Sequence, residues 1–228
     1  MLCGSSGDSM NILVSFLIIL VFMLGLLVFL AYQPKIGLAS PGMILRRAVS
    51  APVCLSEFLT KEQKHSRSHF YYFFSEETVR SLGHRFVGRF DGAVIHWEDI
   101  AVLDLIIEYK FPSQQLPSHK KPEDVLQAGL YALALMESGV SCSSTKLVII
   151  YCLQDRAKKC LERKSIRDCW RCSNGRSYVA KFKPNDVLGI LRRLDEFWYE
   201  GRKPRPTQEE SNCRVCPYSN GRCSYSLV

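Results

Sequence analysis

Two apolar runs that end in charge limit what this chain can fold into. Gly88-Arg89-Phe90-Asp91-Gly92 sets an aspartate beside the first, and Leu105-Ile106-Ile107-Glu108-Tyr109-Lys110 closes the second. Sixteen residues separate Asp91 from Glu108. In a strand, residues i and i+2 share a face, so Glu108 and Lys110 project together while Tyr109 points to the other side. A fully buried strand would continue apolar here; this one stops on a carboxylate and an ammonium. One Asp, one Glu and one Lys suit a hard divalent cation working on a phosphodiester. A plain hairpin with a solvated Glu–Lys pair would carry the same residues, so the flanking chain has to decide.

The flanks read as a meander followed by a crossover. Val53 to about Lys64 is a candidate helix, and His69–Phe74 is a β-prone aromatic run. Arg85–Ile95 and Ala101–Phe111 are the next strands, with a turn at residues 96–99. After a Pro- and Lys-containing loop, a helix starts at Pro122 with Glu123 and Asp124 in its first turn, and Gly139 ends it. Gln127 and Tyr131 are i and i+4 on that helix and share a face. Lys146–Leu153 reads as a buried strand, parallel to the Glu108 strand because a helix connects the two. Residues 155–176 are a basic, Cys-bearing insertion, Ser177–Lys183 an edge strand, and Pro184 opens a second long helix with Leu188, Leu191 and Trp198 on one face.

Near the N-terminus, Ile12 to Tyr32 is uncharged and apolar apart from Ser15 and Gly25. Twenty-one residues at ~1.5 Å each match a hydrocarbon core of ~30 Å. The preceding residues hold Asp8 and no Lys or Arg, unlike a signal peptide. The expectation is a short tail (1–11), an uncleaved transmembrane helix (12–32), a juxtamembrane linker (33–51) and one folded domain (52–228). Lys35, Arg46 and Arg47 follow the run, which places that domain in the cytoplasm of a single-pass membrane protein. The net charge of +8 suits a polyanion, either nucleic acid or an anionic membrane surface.

Nine of the ten cysteines fall in the domain read as cytoplasmic, which favours ligation of a soft metal centre over disulfides. Cys213, Cys216 and Cys223 form one group, with Pro217 and Asn220-Gly221 favouring a loop that folds back; Cys54 is a candidate fourth ligand. Cys160, Cys169 and Cys172 form another, with Cys152 upstream.

In this order the segments resemble the PD-(D/E)XK nucleases of the RecB-like branch, and within it the iron–sulfur group typified by the CRISPR-associated exonuclease Cas four and the AddB nuclease domain. Gly88-Arg89-Phe90-Asp91 looks like the family's G-x-x-D motif and Glu108-Tyr109-Lys110 like its E-x-K. Gln127 to Tyr131 looks like its Q-x-x-x-Y helix motif, and Cys54 with Cys213, Cys216 and Cys223 like its split cysteine set. The resemblance covers about residues 52–225. It implies an α/β fold, a restriction-endonuclease-like mixed sheet flanked by helices and closed by a 4Fe–4S cluster. It also implies a DNA exonuclease or endonuclease acting on single strands or ends. Asp91, Glu108 and the Tyr109 carbonyl would hold Mg²⁺ or Mn²⁺, Lys110 would be the catalytic cation, and Gln127 and Tyr131 would position it or the DNA. The family's metal-binding His usually sits in a G-x-x-x-H setting that this chain lacks; His65 is the best-placed candidate. Partners on this reading are DNA, the membrane through residues 12–32, and CRISPR-adaptation or DNA-repair proteins. The alternative is a non-catalytic, membrane-tethered DNA-binding or redox-sensing module on the same fold.

Overall fold

The computed structural model describes residues 7–32, 40–60, 71–161, 169–170, 172–203, 209–219 and 221–228; at 7–13, 15, 28–32, 161 and 211 the backbone alone is described. Ten-residue strand β6 (Ala101–Lys110) is the axis of a six-stranded mixed sheet. Its neighbours are β5 (Gly92–Trp97), antiparallel, and β7 (Lys146–Cys152), parallel. The sheet continues through β2 (Tyr71–Ser75) to β1 (Val49–Ser50) on one side and ends at β8 (Gly175–Lys181) on the other. The parallel β6–β7 pair needs a crossover, and helix α4 (Pro122–Glu137) supplies it. Gly139 stops that helix with φ of +89°, a conformation that Gly adopts without a Cβ penalty.

Both faces of the sheet are covered. Helix α4 packs against β6 and β7 on one side, and α6 (Pro184–Trp198) packs against α4. Helix α3 (Leu55–Thr60) adds Phe58, whose ring lies 5.1–5.7 Å from those of Tyr72, Phe74 and Trp97. On the opposite face α2 (Pro41–Arg47) buries Ile44 and Leu45 against Leu105, Ile107, Tyr109, Val148 and Ile150. Burial on both faces explains why β6 and β7 read as nearly continuous apolar runs. Residues 41–50, read from sequence as the end of a linker, form α2 and β1 and pack into this domain.

Three further sequence expectations change. The run 85–95 is two strands: β4 (Phe86–Arg89) leaves the main sheet and pairs with β3 (Thr78–Ser81), and the chain bends at Phe90-Asp91 before β5 begins. In the 155–176 insertion, α5 (Gln154–Leu161) is a helix. The transmembrane expectation is also corrected: among the described residues no helix is long and apolar enough to cross a membrane. Helix α1 (Gly7–Tyr32) has described side chains only at residue 14 and residues 16–27. The membrane span over 12–32, the membrane as a partner and the single-pass location with a cytoplasmic domain therefore do not stand.

Candidate active site

Asp91 sits in the bend before β5, and the β5–β6 register sets Gly92 opposite Ile107, which brings Asp91 beside Glu108. The Tyr109 N–H donates to Asp91 Oδ2 at 2.7 Å and fixes the carboxylate across the strand gap. Tyr109 itself turns its ring to the α2 side, as alternation requires. Burial raises the Asp91 pKa, against the lowering effects of the Tyr109 bond and Lys110.

Glu108 is 3% exposed. Its Oε1 takes the Lys110 ammonium at 2.9 Å. Among the described residues its Oε2 has no hydrogen-bond partner although it is buried. A buried, unmatched carboxylate oxygen is costly, and burial pushes the Glu108 pKa up to about 7, with Asp91 and Asp124 adding to the rise and Lys110 opposing it.

Lys110 is held from several sides. Its Nζ donates to Gln127 Oε1 at 2.6 Å and lies 3.5 Å from Asp124 Oδ1. Burial alone would lower its pKa, but the Glu108 bond and the Glu108 and Asp124 charges outweigh it and leave it raised. Gln127 Nε2 in turn donates to the Tyr131 hydroxyl at 2.8 Å. The i, i+4 pair read from sequence is therefore a relay: Tyr131 orients Gln127, and Gln127 orients Lys110. Gly88 belongs to the same construction. A Cβ there would lie 2.6 Å from Tyr131 Cε1, so β4 passes against that ring only as glycine.

Sequence reasoning missed Asp124 and Tyr151. Asp124 is buried, and the Tyr151 hydroxyl donates to its Oδ2. From sequence Asp124 reads as an ordinary first-turn acid complementing the helix dipole. The signal that could have found it is its spacing, three residues before Gln127 and so on the same face. With Asp91, Glu108 and Asp124 ionised and Lys110 charged, the cluster carries two net negative charges. Its oxygen donors, its charge and the unmatched Glu108 Oε2 fit a hard divalent cation. The protein donors near it are the two carboxylates Asp91 and Glu108; among the described residues no three His, Cys, Asp or Glu side chains are gathered as a ready metal site. His65 lies outside the described residues.

The cysteines offered for an iron–sulfur cluster do not meet in this way. Cys54 is exposed, with Sγ 3.2 Å from Ser56 Oγ, a bond that lowers its pKa. Cys213, Cys216 and Cys223 are half-buried, at and after α7 (Glu210–Val215). The described residues thus show no cluster-like site among Cys54, Cys213, Cys216 and Cys223.

No curated protein matches the chain. A family model described as the PD-(D/E)XK nuclease superfamily matches residues 32–223, most of the 228-residue sequence. That family is consistent with a mixed sheet in which the bend before β5 and the end of β6 bring Asp91, Glu108 and Lys110 together: the chain belongs to the PD-(D/E)XK nuclease superfamily.

Proposed function

We propose that the chain is a metal-dependent deoxyribonuclease. Asp91, Glu108 and the Tyr109 main-chain carbonyl would hold Mg²⁺ or Mn²⁺, with His65 as a further ligand. The observation that supports this most is Glu108, whose buried Oε2 lacks a hydrogen-bond partner among the described residues while Asp91 stands beside it. A bound dication supplies charge neutralisation at the phosphate and lowers the pKa of water. The chain's own residues do the rest. Lys110, with its side chain 26% exposed, offers an ammonium to charge that builds on the scissile phosphate. Gln127 and Glu108 hold that ammonium in place, and Tyr131 holds Gln127, so little reorganisation accompanies the reaction. The net charge of +8 draws a polyanionic substrate to a site that is itself acidic.

The finer reading has the chain acting on single strands or ends in the manner of Cas four, beside CRISPR-adaptation or DNA-repair proteins, with a 4Fe–4S cluster closing a domain over residues 52–228. Its support is the motif order and the Cys54, Cys213, Cys216, Cys223 spacing. The test is cleavage of labelled single- and double-stranded DNA by the full chain with Mg²⁺ or Mn²⁺. Wild-type protein should cut, Asp91→Ala should not, and Lys110→Ala should cut far more slowly. A wild-type chain that cuts neither substrate with either metal overturns the proposal.

A further inference from the structure

A second set of side chains has no part in phosphodiester chemistry. Cys152 closes β7, Cys160 lies on α5, and Cys169 and Cys172 precede β8. Backbone geometry sets them at the same end of the sheet. Strand β8 returns antiparallel to β7 and sets Gly175 opposite Cys152. The Gly175 N–H donates to the Cys172 carbonyl and the Cys172 N–H to the Cys169 carbonyl, both at 3.2 Å. Two successive tight turns therefore fold Cys169 and Cys172 back toward the end of β7.

Helix α5 joins from the side. Arg156 Nη1 donates to Asn174 Oδ1 at 2.7 Å, which points that helix face at the same turn. Cys160 is four residues on and shares the face. Along β7, Val148 and Ile150 belong to the α2-side core, so alternation puts Cys152 there too, and Cys169 packs against that same core. Cys152 is buried and the other three are half-buried. Cys172 and Cys160 both lie close enough to Cys152 to act on it electrostatically.

We propose that Cys152, Cys160, Cys169 and Cys172 form a structural zinc site that clamps α5 and the turn before β8 to the end of β7. Four thiols, two of them in a C-x-x-C turn, match the tetrahedral sulfur set of structural zinc. Among the described residues no three ligating side chains already meet at one point, so this site closes on the ion. Each thiol gives up its proton to become a ligand, and binding releases those protons to solvent. Arg156, Lys158, Lys159 and Arg176 surround the site in sequence and offset the negative charge of a tetrathiolate. The site is separate from the Cys54, Cys213, Cys216, Cys223 set, and it holds whether or not the chain cleaves DNA.

The test uses the full chain, stripped of metal under reducing conditions and titrated with Zn²⁺ alone. Thiol alkylation, mapped residue by residue by mass spectrometry, should show Cys152, Cys160, Cys169 and Cys172 protected by the first equivalent. Cys169→Ser/Cys172→Ser should lose one bound zinc, and Cys213→Ser/Cys216→Ser should keep it. Cobalt in place of zinc should give visible tetrahedral thiolate bands in the wild type that Cys169→Ser/Cys172→Ser removes. Equal alkylation of the four thiols with and without zinc overturns the proposal. So does protection that falls on Cys213, Cys216 and Cys223 instead. If the Cys169→Ser/Cys172→Ser chain does not fold, the wild-type alkylation map decides alone.

Discussion

Strand β6 carries two charged clusters, and they differ in one respect that separates structure from chemistry. At its N-terminal end Asp104 meets His96 Nδ1 at 2.6 Å, and His96 Nε2 meets Glu98 at 3.1 Å. Tyr71 stacks edge-on against that imidazole on the α2 side. At the C-terminal end Glu108 and Lys110 face α4. The first cluster sets one imidazole between two carboxylates and uses both its nitrogens. Burial works against the His96 charge, but Asp104 and Glu98 overcome it and raise the pKa. The second cluster crowds Asp91, Glu108 and Asp124 around one lysine and leaves Glu108 Oε2 bare among the described residues. A matched pair accounts for itself as part of the fold. An acid-rich cluster with an unmatched buried oxygen has room for a cation to complete it.

The sharpest test of that contrast is activity. Asp91→Ala should bring metal-dependent DNA cleavage below detection, and Lys110→Ala should lower it on the order of 10²–10³-fold, the scale for removing one preorganised charge from a transition state. His96→Ala should leave kcat within about twofold, since it touches no site residue, yet cost about 3 kcal/mol of stability by stranding Asp104. Denaturant midpoints and cleavage rates on the same preparations separate the two outcomes. A His96→Ala chain that folds as well as wild type but cuts poorly would erase the distinction.

Stability against pH sharpens it further. The folded pKa of Glu108 is raised to about 7 from the ordinary 4.5. Its contribution is therefore fully present below the unfolded value and is lost as pH rises through about 7. Asp91 is raised as well and acts with the same sign. Metal-free protein should lose stability between about pH 4.5 and 7, by on the order of 3 kcal/mol at most. Mg²⁺ or Mn²⁺ should restore it, and Glu108→Gln should flatten the slope while removing the metal effect. Thermal melts across that range, with and without metal, check this. A wild-type melt that ignores metal, with a pH slope that Glu108→Gln leaves unchanged, would place Glu108 with His96 as a structural group.

Much of the fold was legible because its signals are local. Pro122 and Gly139 punctuate α4, and the crossover between two apolar runs dictates the parallel pairing of β6 and β7. That Glu108 and Lys110 share a face followed from period-two alternation near the end of β6. What alternation could not reveal is the register shift between Val94 and Ile95. There Val94 pairs with Leu105 and Ile95 with Leu103, leaving Asp104 as the extra residue. That bulge moves the strand's faces past one another. Ala101 and Leu103 belong to the α4-side core, while Leu105 and Ile107 belong to the α2-side core. Unbroken alternation would have set Asp104 on the Glu108 face and merged the two clusters. The break at Phe90-Asp91 was hidden for a similar reason: the apolar pattern of 85–95 runs on while the backbone changes sheets. Asp124 was hidden because a helix-start acid has a sufficient local explanation.

Smaller effects probe how Lys110 is held. Gly88→Ala would force a methyl to 2.6 Å from the Tyr131 ring. Either β4 or the ring must shift, at about 1–3 kcal/mol, and cleavage should fall because the Tyr131–Gln127–Lys110 relay moves with the ring. Tyr131→Phe is gentler. It keeps the ring against β4 and removes only the oxygen that accepts from Gln127 Nε2 at 2.8 Å. The bond is between neutral groups, and its loss should cost about 1 kcal/mol or less. Gln127 still accepts from Lys110 at 2.6 Å, so substrate binding should be unchanged and kcat should fall by no more than about tenfold. Single-turnover cleavage at saturating metal reads this directly. If Tyr131→Phe matches Lys110→Ala in severity, the hydroxyl touches substrate, and Tyr131 is a catalytic residue in its own right instead of the outer link of a relay.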